Sequence, residues 1–191
     1  IKCSTLSPYH PEYDVWVGSV EDALRLGADA IAMAVTVGSN RQRKLLANLA
    51  ALIRAAEPFG LPVIAHAYPN GELVPSDEVY SVARVAYAAR MAMELGVDIV
   101  KTFYTGSTET FAQVVETAAP ARVVAAGGPK LETAADAFQM AYNVVQARAA
   151  GITFGRNVWQ SGDARRMVLA LRHILHQEGT VAEAEEIFGG G

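Results

Sequence analysis

The sequence predicts the α/β class, in the form of a TIM (β/α)8 barrel of which these 191 residues lack roughly the first two β/α units. Three features lead there. Amphipathic helices and short apolar strands alternate along the whole chain, separated by glycines. Polar and ionisable residues gather where each strand runs into the following loop. Only five or six strands can be counted, too few for a closed eight-stranded barrel of about 200–250 residues.

The alternation is explicit in four stretches. "VEDALRLGADAIAMAV" carries Gly27 between helix and strand, "ALIRAAEPFGLPVIAHA" Gly60, "YAARMAMELGVDIVK" Gly96 and "VVQARAAGITFG" Gly151. A glycine just past a helix end adopts the left-handed conformation at little cost. The first three glycines are spaced as single β/α units, and the longer interval to Gly151 holds two, because "ARVVAAGG" after Pro120 reads as one more strand. Helices between successive strands imply parallel pairing, and strands covered on both faces read as continuous apolar runs. Strands are therefore expected near 29–35, 61–67, 97–103, 121–126 and 152–155, with 1–4 as a partial entering strand.

Helix starts are predicted at Ser19, Ser76 and Thr180, each a capping residue followed by acidic side chains in the first turn. Gly189-Gly190-Gly191 read as a frayed tail. Without a low-complexity linker, residues 1–191 are expected to form one domain. The chain opens on isoleucine, and the abrupt "IKCSTLS" predicts that something precedes it.

Composition narrows the function. Half of the residues (51%) are hydrophobic and the formal net charge is −4, which supplies no electrostatic case for nucleic acid or membrane as a partner. One cysteine, Cys3, excludes an internal disulfide and a cysteine-based zinc site. No apolar run approaches the ~18 residues of a spanning helix, and no leader is recognisable. A cytoplasmic location is the default expectation.

The strand ends carry the candidate chemistry: Thr36 and Ser39, His66 and Tyr68, Lys101 and Tyr104, Lys130, Arg156 and Asn157. Barrel enzymes place their active sites on that face. Gly127-Gly128 and Gly155-Arg156, at the ends of the last two strands, resemble the paired loops that bind phosphate in barrels. Lys101 ends the apolar run "VDIVK". It is either a snorkelling surface charge or an amine whose pKa is lowered by desolvation, able to attack a carbonyl and form a Schiff base. Tyr68 in "AHAYPNG" is either a general acid/base or an aromatic with a satisfied hydroxyl. His66 shares its side of the strand and either contacts substrate or sits in the core. His173 and His176 read as a helix face, and "GSNRQRK" lacks P-loop spacing. No metal or other cofactor is called for.

Five ordered segments, "GADAIAMAVTVGS", "LPVIAHAYPNG", "VDIVKTFYTG", "ARVVAAGGPK" and "AAGITFGRNVWQ", resemble the strand-end motifs of the DeoC/FbaB aldolase superfamily. Its archaeal-type class I fructose-bisphosphate aldolases and 2-amino-3,7-dideoxy-D-threo-hept-6-ulosonate synthases are the branches most alike. The resemblance implies a TIM barrel with Lys101 as Schiff-base lysine, Tyr68 in proton transfer, and Gly127, Gly128, Gly155 and Arg156 on the substrate phosphate. It implies a metal-independent lyase acting on a sugar phosphate, assembled as a homo-oligomer, with decamers among the relatives. On this reading "IKCS" is the third barrel strand, and the aspartate of the family's first strand has no counterpart here. Asn70 stands where the family usually has arginine, and Ser107 where aspartate is frequent. A thiolase relative that places lysine in a similar segment keeps acyl transfer as an alternative, and a non-catalytic sugar-phosphate binder is the second.

Overall fold

The computed structural model describes residues 1–7 and 10–190. Five parallel strands form the main sheet, in the order β3 (Ile31–Thr36), β4 (Val63–Tyr68), β5 (Ile99–Phe103), β6 (Arg122–Ala126) and β7 (Gly151–Thr153). Each connection carries a helix: α2 (Gln42–Ala56), α3 (Val82–Glu94), α4 (Thr108–Thr117) and α5 (Ala134–Gln146). α1 (Val20–Arg25) precedes β3, and α6 (Arg156–Trp159), α7 (Ala164–His176) and α8 (Val181–Gly189) follow β7. Sequential order with a helix in every crossover is the arrangement of a β/α barrel wall. Among the described residues, the two ends of this sheet are not paired with each other.

The expected strands all form, shifted by one or two residues at most boundaries. Gly27, Gly60 and Gly96 take positive φ at the helix–strand junctions (70°, 59° and 98°), whereas Gly151 opens β7 itself. Ser19 and Thr180 cap their helices through reciprocal capping boxes with Asp22 and Glu183. Ser76 caps nothing. Residues around it form turns, and α3 begins after Ser81, whose hydroxyl accepts from the Arg84 amide. Gly189 ends α8 and Gly190 caps it in the left-handed conformation, so the expected fraying does not begin at Gly189. Gly191 lies outside the described residues.

The entering strand also differs from expectation. Lys2 makes a single parallel bridge to Ala32, supported by Cys3 N to Ala32 O (2.8 Å) and Ala32 N to Ile1 O (2.7 Å). The chain then leaves the sheet into an antiparallel ribbon of β1 (Ser4–Ser7) and β2 (His10–Trp16). The reason lies in Ser4, whose hydroxyl takes over from the backbone by accepting the Ala34 amide (3.1 Å).

Strand alternation sorts the sheet into two faces. Ala65, Ala67 and Val100 point outward and are buried in an apolar cluster with Leu49, Leu52, Val85, Ala88, Ala92 and Phe111 of the helices. A second cluster gathers Phe138, Met167, Ala170, Leu171 and Ile174 of α5 and α7, and Ile152 and Phe154 pack against both. The opposite, inner face carries Ile64, His66, Tyr68, Ile99, Lys101 and Phe103, none of them fully buried.

Candidate active site

His66 and Tyr68 alternate with Ala65 and Ala67 along β4, so both project from the inner face. Lys101 and Phe103 do the same on β5. Register places His66 beside Lys101, and Lys101 beside Val124 of β6. Thr102 points the other way. It is fully buried, and its hydroxyl donates to Ala67 O at 2.8 Å, tying β5 to β4 at the level of the site.

At the C-terminal ends of β4 to β7 these residues open into one cleft of about 410 Å³. It is lined by Tyr68, Lys101 and Phe103 on one side and by Gly127, Gly128, Gly155, Arg156 and Trp159 on the other. Phe103 stacks on Tyr68 with ring centroids 4.6 Å apart and is met by Tyr80 at 4.9 Å, which forms an aromatic wall. The glycines have steric reasons. A Cβ on Gly127 would stand 2.7 Å from the Phe154 ring, and one on Gly155 would stand 2.5 Å from the indole of Trp159. Gly128 has φ of 61°. The Arg156 guanidinium donates to Gly128 O at 2.8 Å, bridging the two loops.

Asn157, which the sequence offered only as one of the polar strand-end residues, completes the bridge. It is buried, donates to Gly127 O (3.0 Å) and Pro129 O (3.4 Å), and accepts from the Leu131 amide (2.8 Å). Its place directly after Arg156 was the available signal. Phe103, Trp159 and Asp14 were overlooked, because a single aromatic or carboxylate within a strand or a short helix carries no signature of its own.

Electrostatics distinguish the ionisable groups. Burial, and secondarily the charge of Lys2, lowers the pKa of Lys101. The Lys101 side-chain amine makes no hydrogen bond or ion pair among the described residues. Burial first, then the charges of Lys101 and Lys2, push His66 down to about 4, so the imidazole is neutral near neutral pH. Burial, reinforced by the charge of Asp14, raises Tyr68 far above the ordinary phenol range, so it stays protonated. Its hydroxyl also has no partner among the described residues.

The remaining predicted residues lie elsewhere. Lys130 faces a separate groove with Leu131, Glu132 and Thr133. Ser107 caps α4 in a reciprocal box with Thr110, and Asn70 is exposed beyond β4. His66 shares a row with Lys101 but is not among the residues that line the cleft. His173 bonds Gln177 (2.8 Å) and Glu183 (3.3 Å), a structural helix–helix contact. Among the described residues, no cluster of His, Cys, Asp or Glu is arranged to hold a metal ion, and no helix is long and apolar enough to cross a membrane.

A parallel β/α wall with a lysine on its inner face, and glycine and arginine loops at the ends of the next two strands, defines the class of β/α-barrel proteins. The chain belongs to the DeoC/LacD family of aldolases, whose sequence profile matches residues 3–161. It is 39% identical over 165 residues to the fructose-bisphosphate aldolase class 1 of Thermoproteus tenax, covering 86% of this chain and 62% of that protein. It is 35% identical over 180 residues to the 2-amino-4,5-dihydroxy-6-oxo-7-(phosphonooxy)heptanoate synthase of Streptomyces griseus, covering 94% of this chain and 65% of that one. The chain thus spans less than two thirds of either relative. A solved archaeal fructose-1,6-bisphosphate aldolase, described as holding its catalytic lysine covalently bound to the carbinolamine intermediate of the substrate, superimposes with a TM-score of 0.87 at 36% identity. That match covers 92% of this chain and 70% of the other.

Proposed function

We propose that this chain carries the reaction centre of a class I aldolase acting on a phosphorylated sugar. One observation carries the reading: Lys101, half-buried and unpaired, shares a single cleft with Tyr68 and the Gly127-Gly128/Gly155-Arg156 cradle. The cradle holds the substrate phosphate through backbone amides and the guanidinium, which positions the ketone over Lys101. The neutral amine attacks the carbonyl carbon. A C–N bond forms, the carbonyl electron pair moves to oxygen, and that oxygen takes a proton. A proton from solvent lets that oxygen leave as water and gives an iminium, which accepts the electron pair of the breaking carbon–carbon bond as the neighbouring hydroxyl passes its proton to solvent and departs as an aldehyde. The resulting enamine carbon then takes up a proton, and Tyr68, kept as a phenol by burial, is the donor. The iminium is itself the electron sink, so this chemistry calls for no metal.

Within this reading residues 1–191 form one partial barrel domain, supported by the packing of Ile152 and Phe154 against both apolar clusters. A cytoplasmic homo-oligomer is part of the same proposal. The two relatives differ in what their names say they act on, and exposed Asn70 leaves either a bisphosphate or a monophosphate as substrate.

Borohydride added with dihydroxyacetone phosphate tests the reading. A reduced adduct is expected on Lys101 by peptide mass spectrometry, and Lys101→Arg is expected to lose both adduct and turnover completely. An adduct on Lys130, or an active enzyme that is never trapped, would overturn it.

A further inference from the structure

The loop between β6 and α5 lies outside sheet and helix, yet one buried side chain grips it at three alternate residues. Asn157, at 4% exposure, donates from Nδ2 to Gly127 O (3.0 Å) and Pro129 O (3.4 Å) and accepts on Oδ1 from the Leu131 amide (2.8 Å). Arg156 holds the carbonyl between them, donating to Gly128 O at 2.8 Å. Three consecutive carbonyls are thus turned by two neighbouring side chains of α6. A buried side-chain amide is costly unless its hydrogen bonds are made, and here each of them serves the same loop.

The direction of that grip matters for the cleft. Asn157 lies behind the loop, in the groove with Lys130 and Thr133, and is not part of the cleft lining, whereas Gly127 and Gly128 are. The C=O and N–H of one trans peptide point in opposite directions. A Gly127 carbonyl drawn to Asn157 therefore turns the Gly128 N–H away from it, toward the cleft. That amide has no hydrogen-bond partner among the described residues. Glycine lets the backbone lie this close, because a Cβ on Gly127 would stand 3.2 Å from Asn157 Nδ2. Pro129, next along, has no amide to offer.

We infer that Asn157 is a positioning residue for the phosphate cradle: acting from behind the loop, it holds Gly127 O and so aims the Gly128 amide at the substrate's anion. This deepens the proposed reading of the cleft and rests on it. An amide fixed before the ligand arrives needs no ordering when it binds, so the grip is expressed as affinity for phosphate. Arg156 supplies the charge and Asn157 the direction.

The test compares borohydride trapping of Lys101 by two ketones, dihydroxyacetone phosphate and dihydroxyacetone, in the full-length protein. Asn157→Leu, of similar size, is expected to lower the preference for the phosphorylated ketone about tenfold, and to raise by about the same factor the concentration of inorganic phosphate that blocks its trapping. Asn157→Gln keeps the amide donors on a longer stem and should lose less of the preference; it serves if the leucine variant fails to fold. In the unaltered protein, inorganic phosphate should slow hydrogen exchange at the Gly128 amide. A rate lowered equally for both ketones would make Asn157 merely structural and overturn the inference. An unchanged preference, or a Gly128 amide whose exchange phosphate does not slow, would overturn it as well. Absence of any Lys101 adduct with either ketone in the unaltered protein would instead remove the aldolase reading, and this inference with it.

Discussion

The two faces of β4 and β5 differ by one residue of register and by almost everything else. Outward, Ala65, Ala67 and Val100 are fully buried, and the one polar group, Thr102, is satisfied by Ala67 O. Inward, His66, Tyr68, Lys101 and Phe103 are half-buried, and the Lys101 amine and Tyr68 hydroxyl have no protein partner among the described residues. Stability is concentrated on the face where every group is matched. On the inner face groups are desolvated without being matched, and burial disfavours the charged form of the Lys101 amine. The backbone ladder is common to both, so the dry face holds the wet one in register.

The sharpest way to break this comparison is on the inner side. Tyr68→Phe keeps the ring stacked on Phe103 and removes only the hydroxyl. Turnover is expected to fall by about 10²–10⁴-fold, as for a lost general acid/base, while Lys101 remains trappable by borohydride. Equal loss of adduct and turnover would mean that Tyr68 supports the structure rather than proton transfer.

An outer-layer change should do the reverse. Phe111→Ala, in the cluster behind the sheet, is expected to cost about 3–5 kcal/mol in denaturant unfolding. The fraction that remains folded should keep its KM and its adduct yield. A changed KM in that folded fraction would show that the two faces are not independent.

The smallest expected effect is that of His66 on acid stability. Its folded pKa of about 4 lies below the ordinary 6.5, so below that ordinary value the unfolded chain takes up a proton that the folded chain refuses. Stability attributable to His66 is complete above about pH 6.5, declines as pH falls toward 4, and levels off below. The full loss is about 3 kcal/mol. Urea titrations across that range should show the slope, and His66→Gln should flatten it. An unchanged slope in the variant would place the acid sensitivity elsewhere.

Much of this was legible in the sequence because its causes are local. The glycines at 27, 60 and 96 mark where a helix must end in the left-handed region, and alternation along "VIAHAY" already put His66 and Tyr68 on one side. Ser19 and Thr180 declared their helices through residues three positions apart. Ser76 misled for the same reason, since its local signal was overridden by turns that delay α3 to Ser81. The β1–β2 ribbon was hidden because "STLSPYHPEYDVW" contains two prolines and no sustained apolar run.

By itself, then, the sequence determined the order of the five main-sheet strands and their crossover helices, their parallel direction and the identity of the strand-end residues, all consequences of periodicity and of backbone preferences within a few positions. Tertiary structure alone decided which of those residues meet. His66 is beside Lys101, the Gly127 and Arg156 loops share one cleft with Tyr68, and Lys2 reaches Asp14 of β2 at 2.8 Å. The pairings join segments twelve to nearly ninety residues apart. Their register is set by hydrogen bonds between strands and by the volume of the side chains behind the sheet, and neither quantity is written in any local stretch of the chain.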